Sequence, residues 1–178
     1  MRYFDELKRA MNWLAEQNNT LFVGQAVAVP GTAMFNTLKE VPEQQRIELP
    51  VFEDTQMGMS LGMTFAGKRV ISVFPRWNFL LCATNQLVNH VDKYKLMSEG
   101  EVNPSLIIRT SVGSERPLFP GHQHIGNYSE AFRTMLKNVD VVELKEPEQI
   151  FDGYKHAYER KDGRSTLLVE FGDYYNEK

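Results

Sequence analysis

Residues 50–67 read PVFEDTQMGMSLGMTFAG, and they join two kinds of chain. Upstream, Leu49, Val51 and Phe52 close a short apolar run of the kind that ends a buried strand. Downstream, Asp54 and Thr55 offer side-chain oxygens to the free N–H groups of a helix's first turn. The stretch therefore reads as a strand-to-helix turn with one carboxylate, Glu53, set between the two elements. Gly58, Gly62 and Ala66 then recur every four residues, so one face of the predicted helix is bare and lets another backbone approach closely. Glu53 has two readings from this pattern: a working carboxyl at the mouth of a cleft, or an acid that only complements the positive end of a helix dipole.

Outward from this turn, short apolar runs alternate with helical periods. Toward the N-terminus, Tyr3, Leu7, Ala10, Met11 and Leu14 predict an amphipathic helix over 2–17. Leu21 to Val23 predict a buried strand ending at Gly24, Pro30-Gly31 a loop, 32–39 a short helix and 46–49 a second strand. Toward the C-terminus come a strand over 69–74 and one long helix from Trp77 to about Met97, with Leu80, Ala83, Leu87 and Val91 inward and Cys82 packed within it. A strand over 105–110, a helix over 128–136, a strand over 139–144, a helix over 147–160 opened by Glu146-Pro147, and a strand over 165–171 follow. This order predicts an α/β fold, three layers α/β/α around a mostly parallel sheet, in a single domain spanning 1–178.

The chain has 178 residues, and a domain of that size buries roughly 70% of its unfolded surface. A single cysteine excludes an internal disulfide and a cysteine-based zinc site, which fits a reducing compartment. The formal net charge of −3 gives no basic field for nucleic acid. No apolar run approaches the ~18 residues of a membrane span, and the acids in MRYFDELKRA interrupt any signal-peptide core. The expectation is a soluble, cytoplasmic chain with neither nucleic acid nor membrane as partner.

In a parallel sheet, ligands collect beyond the carboxyl ends of the strands. Three segments follow predicted strands there: the Glu53 turn, Pro75–Phe79, and the irregular 111–127 with His122 and His124. Phe74, Trp77 and Phe79 are an aromatic platform or simply core. Either histidine suits proton transfer near neutrality, or is a solvated loop residue. No Asp, Glu or Cys nearby completes a metal ligand set with them, so no metal held by this chain is expected. GQAVAVPG at 24–31 has its glycines at the wrong spacing for a phosphate loop.

The ordered set Leu21-Phe22-Val23-Gly24, Arg46-Ile47-Glu48-Leu49-Pro50-Val51-Phe52-Glu53, Gly58, Gly62, Ala66-Gly67, Phe74, Asn78-Phe79, Met97, Arg109, Gly113 and His122 resembles the pyrimidine-binding domain of thiamine diphosphate enzymes. It is most similar to the beta subunit of pyruvate and branched-chain 2-oxo acid dehydrogenases, with transketolase a more distant relative. The resemblance implies that Glu53 hydrogen-bonds the ring nitrogen of the cofactor's aminopyrimidine and favours its 4′-imino form, while the cofactor acts as electron sink. It implies that Val51 and Phe79 contact the pyrimidine, and that His122, or His124 two residues on, faces the substrate.

Gln25 departs from the family, which often has an acid there. No Gly-Asp-Gly motif is present, so the diphosphate and its Mg²⁺ are expected on a separate, alpha-like subunit. The family's further C-terminal domain and its diphosphate-binding domain are expected to be absent. The implied function is a subunit, inactive alone, of a heteromeric enzyme acting on a 2-oxo acid or a ketose. The alternative is a non-catalytic relative serving assembly or regulation.

Overall fold

The structure, a computed structural model, describes residues 2–177. Six strands form one sheet in the order β2-β1-β3-β4-β6-β5, and every neighbouring pair is parallel. They are β1 (Thr20–Gly24), β2 (Arg46–Glu48), β3 (Arg69–Phe74), β4 (Ile107–Val112), β5 (Val139–Glu143) and β6 (Ser165–Phe171). Alternation along the strands splits the core in two. Ile71, Val73, Ile107 and Leu168 face α1 (Tyr3–Ala15), α2 (Ala33–Asn36), α8 (Pro147–Glu159) and α9 (Tyr174–Glu177). Val70, Phe74, Ile108, Leu167 and Val169 face α3 (Glu53–Phe65), the segment after β3, and α7 (Ser129–Met135). The expected three-layer α/β/α architecture is the observed one.

The expected long helix after β3 is broken. It runs as α4 (Trp77–Leu80), a 3₁₀ turn Leu81–Ala83, α5 (Thr84–Gln86), a π-helical stretch Leu87–Val91, and α6 (Tyr94–Met97). The apolar face holds, since Leu80, Ala83, Leu87 and Val91 are buried. The wide π turn, closed by Asp92 N–H to Leu87 O at 3.0 Å, sets Asp92 fully inside. There its carboxylate accepts from the N–H groups of Lys137 at 2.7 Å and Asn138 at 2.6 Å and tethers this segment to the approach of β5. Cys82, expected to pack, is instead exposed, because two residues after Leu80 and one before Ala83 it falls off the buried stripe. The helix expected over 32–39 is confined to Ala33–Asn36, and β4 starts at Ile107 rather than 105.

Candidate functional site

All strands being parallel, the ends of β2, β3 and β4 share one edge, and the three segments singled out from the sequence follow them. At the first, Leu49 N–H extends the β1–β2 pairing to Gly24 O at 2.8 Å, Phe52 N–H turns back to Pro50 O, and Gln56 N–H to Phe52 O opens α3. The helix thus starts one residue earlier than the caps expected at Asp54 and Thr55. Phe52 is its N-cap residue, and Glu53 is its first residue. Asp54 Oδ2 accepts from Gln86 Nε2 at 3.3 Å instead of capping.

Glu53 is 8% exposed, and among the described residues its carboxyl has neither a hydrogen bond nor an ion pair. Val51 at 71% and Phe52 at 65% exposure stand open beside it. Beneath lies a polar layer that sequence reasoning missed. Gln56 Nε2 donates to Val73 O at 2.9 Å and to Ser72 Oγ, and Ser60 Oγ donates to Ser72 Oγ at 2.9 Å. Gln25, at the position where the family often has an acid, donates to Gln56 Oε1 at 3.4 Å. Gly24, at φ +142°, permits this close packing: a Cβ there would lie 2.2 Å from Val73 O. Glu48 was also missed as a working residue. Its carboxylate accepts the successive backbone N–H groups of Ala26, Val27, Ala28 and Val29 at 2.7–3.3 Å, fixing the loop that follows β1.

The second and third segments are clamped together. Arg76 Nη1 donates to Gly113 O at 3.1 Å and to His124 O at 3.0 Å, so one guanidinium holds both ends of the 111–127 loop. Asn78 accepts from Gly126 N–H and donates to the Tyr128 hydroxyl. Asp173 Oδ1 accepts from Glu115 and Arg116 N–H. The half-buried Phe79 ring meets His124 edge-on at 5.6 Å, and His124 Nδ1 is buried without a partner. His122 is exposed and lies against Phe119 at 5.3 Å. Of the aromatic cluster, Phe74 and Trp77 are fully buried, Trp77 against Phe132, which leaves Phe79 as the ring presented at the edge. Phe79 and His124 are brought together. No hydrogen bond or ring contact among the described residues joins either to Glu53, which shares only the edge.

Arg109 and Glu170 form a bidentate, fully buried ion pair at 2.7 and 3.0 Å, and the hydroxyls of Tyr154 and Tyr175 both donate to Glu170. Burial, reinforced by the Glu170 charge, raises Tyr154, Tyr175 and Tyr3 above the ordinary phenol value. Among the described residues no group of three or more His, Cys, Asp or Glu could hold a metal ion, and no helix is long and apolar enough to cross a membrane.

Residues 1–174 match the family described as transketolase, pyrimidine binding domain. The chain is 25% identical over 180 residues to the pyruvate dehydrogenase E1 component subunit beta of Gracilaria tenuistipitata var. liui, covering 98% of this chain and 54% of that protein. It is 30% identical over 95 residues to the subunit of the same name in Rickettsia bellii, covering 53% of this chain and 29% of that protein. The chain therefore spans about half or less of the length of these curated relatives. Among solved structures, a split-gene transketolase, an inactive beta4 tetramer, superposes with a TM-score of 0.69 at 17% identity over 94% of this chain and 50% of that one.

Proposed function

The chain belongs to the transketolase pyrimidine-binding domain family, and from that membership we propose that it supplies the pyrimidine half of a thiamine diphosphate site to a heteromeric enzyme acting on a 2-oxo acid or a ketose. The observation that carries this reading is the Glu53 carboxyl, nearly buried at the ligand-binding edge and without a protein partner among the described residues. The nearly buried side chain keeps its carboxyl oxygens reachable from that edge, where a ligand's donor can bond them. The donor set fits the pyrimidine: Glu53 for a ring nitrogen, the half-buried Phe79 for a ring face, Val51 for an apolar edge.

When bound, the cofactor supplies the electron sink for cleavage next to a carbonyl. Glu53 holds a proton at the ring nitrogen and orients the ring; Phe79 excludes water from its face. His124, seated edge-on against Phe79 with Nδ1 enclosed and Nε2 open, is the imidazole we assign to orient or protonate the substrate through Nε2, in preference to the exposed His122. The diphosphate and Mg²⁺ fall to a separate subunit, so that the chain is inactive alone. The outward face of α3 is where it meets a second subunit: a side chain at Gly62 would find nothing within 4 Å, and Met59, Phe65 and Ala66 are exposed. Gly58, which meets Gln86, is already covered.

The test is Glu53→Gln in the complex assembled with its co-purified partner. Turnover should fall by at least about 100-fold with sedimentation unchanged. Retained turnover rejects the assignment and leaves the non-catalytic, assembly reading, which the Gln25 substitution favours. Calorimetric titration of thiamine diphosphate and Mg²⁺ should give binding to the complex and none to the chain alone.

A further inference from the structure

A second concavity at the same edge is not used by this mechanism. A cavity of about 120 Å³ is lined by Arg76, Thr32, Ser111, Ser114, Gly172 and Tyr175, with Met34 and Pro75 as apolar wall and no Asp or Glu in its lining. That volume has room for a carboxylate or a phosphate group.

Its polar atoms are biased toward donation. Arg76 spends only Nη1 on carbonyls and has no carboxylate partner among the described residues, so Nε and Nη2 remain to donate. Half-burial depresses its pKa, the mark of a cation lacking a counter-charge. Thr32 Oγ1 accepts from Phe35 N–H at 3.0 Å, which leaves its own hydrogen free. Ser114 has no hydrogen bond among the described residues, and Gly172 packs so close that a Cβ would lie 2.7 Å from Ser114 N. Ser111 and Tyr175 are committed as donors, to Pro75 O and to Glu170. One unpaired guanidinium and two free hydroxyls, with no acid among them, make an anion subsite.

We propose that this cavity binds a small oxyanion, a carboxylate or a phosphate monoester, held by Arg76 with Ser114 and Thr32. That this anion is the substrate's own terminal group rests on the thiamine diphosphate reading; the anion binding itself does not. Because Arg76 also holds Gly113 O and His124 O, an anion seated there would share its guanidinium with the clamp on the 111–127 loop, whose own Ser114 lines the cavity.

The experiment is a titration of the isotope-labelled chain, without cofactor, at constant ionic strength, with inorganic phosphate in one arm and pyruvate in the other. Saturable shifts of the Arg76 Nε–H and of the Ser114 and Gly172 amides are expected in at least one arm. Arg76→Gln should weaken that binding by about tenfold or more, and Arg76→Lys less, since charge survives but the fork does not. Saturation by phosphate alone points to a phosphorylated ketose, by pyruvate alone to a 2-oxo acid, and either supports the site. Non-saturating shifts in both arms, or equal affinity in Arg76→Gln, overturn it. Should Arg76→Gln lose its dispersed spectrum, Ser114→Ala carries the same test, with a loss of affinity expected and an unchanged affinity overturning the site. Glu53→Gln should leave the titration unchanged, so failure of the cofactor reading and failure of the anion site register in different measurements.

Discussion

At the scale of single residues, two histidines two positions apart have been given different surroundings. His124 is seated against Phe79 with a buried, unpartnered Nδ1, and His122 is open to solvent. His124→Asn should therefore lower turnover of the assembled complex by about 100-fold, and His122→Asn by far less, in steady-state assays of both variants. On the opposite face, three phenols are held neutral by burial and by the Glu170 charge. Their folded values are raised, so the stability linked to them is complete below the unfolded value of about 10 and declines as pH rises past it. Absorbance titration should show Tyr3, Tyr154 and Tyr175 ionising only together with alkaline unfolding. Removing the cation of this cluster by Arg109→Met strands Glu170 and should cost about 3–5 kcal/mol in urea denaturation.

Among the elements, the broken run from Trp77 to Met97 shows where local pattern stops being sufficient. Its buried stripe was legible, because apolar residues every three or four positions demand a helical face wherever they fall. The π turn was not, because it serves Asp92, whose partners Lys137 and Asn138 lie 45 and 46 residues away. Burial alone would raise the Asp92 carboxyl, but the Lys93 ammonium and those two N–H groups outweigh it and hold the pKa below the ordinary value. Its contribution is therefore present above the unfolded pKa of about 3.9 and is lost as pH falls through the lower folded value. Asp92→Asn should be less stable by about 2 kcal/mol at neutral pH, with the gap closing in chemical denaturation below about pH 4. The clamp at Arg76 escaped the sequence for the same reason. Which carbonyls an arginine meets depends on how a loop folds back, whereas the gathering of the Glu53 turn and of Phe79 at the carboxyl edge of the sheet was legible from the order of elements along the chain.

For the molecule as a whole, one sheet divides the interior into two clusters, and each contains one of the two tryptophans: Trp13 packs against the first and Trp77 lies within the second. Since both clusters rest on the same strands, neither can dissolve alone. Leu168→Ala on one face and Leu167→Ala on the other should each cost about 2–5 kcal/mol, and fluorescence of single-tryptophan variants should report coincident transitions for both faces. Separate midpoints would mean that the layers unfold independently.

The loop behind β1 carries one more implication. Consecutive amides curling around a negative charge form the sort of nest in which many α/β proteins lodge phosphate. In this chain the nest already contains a resident, Glu48, tethered by the strand next door. A polypeptide that corks this cradle with its own side chain has no vacancy at that loop for a phosphate.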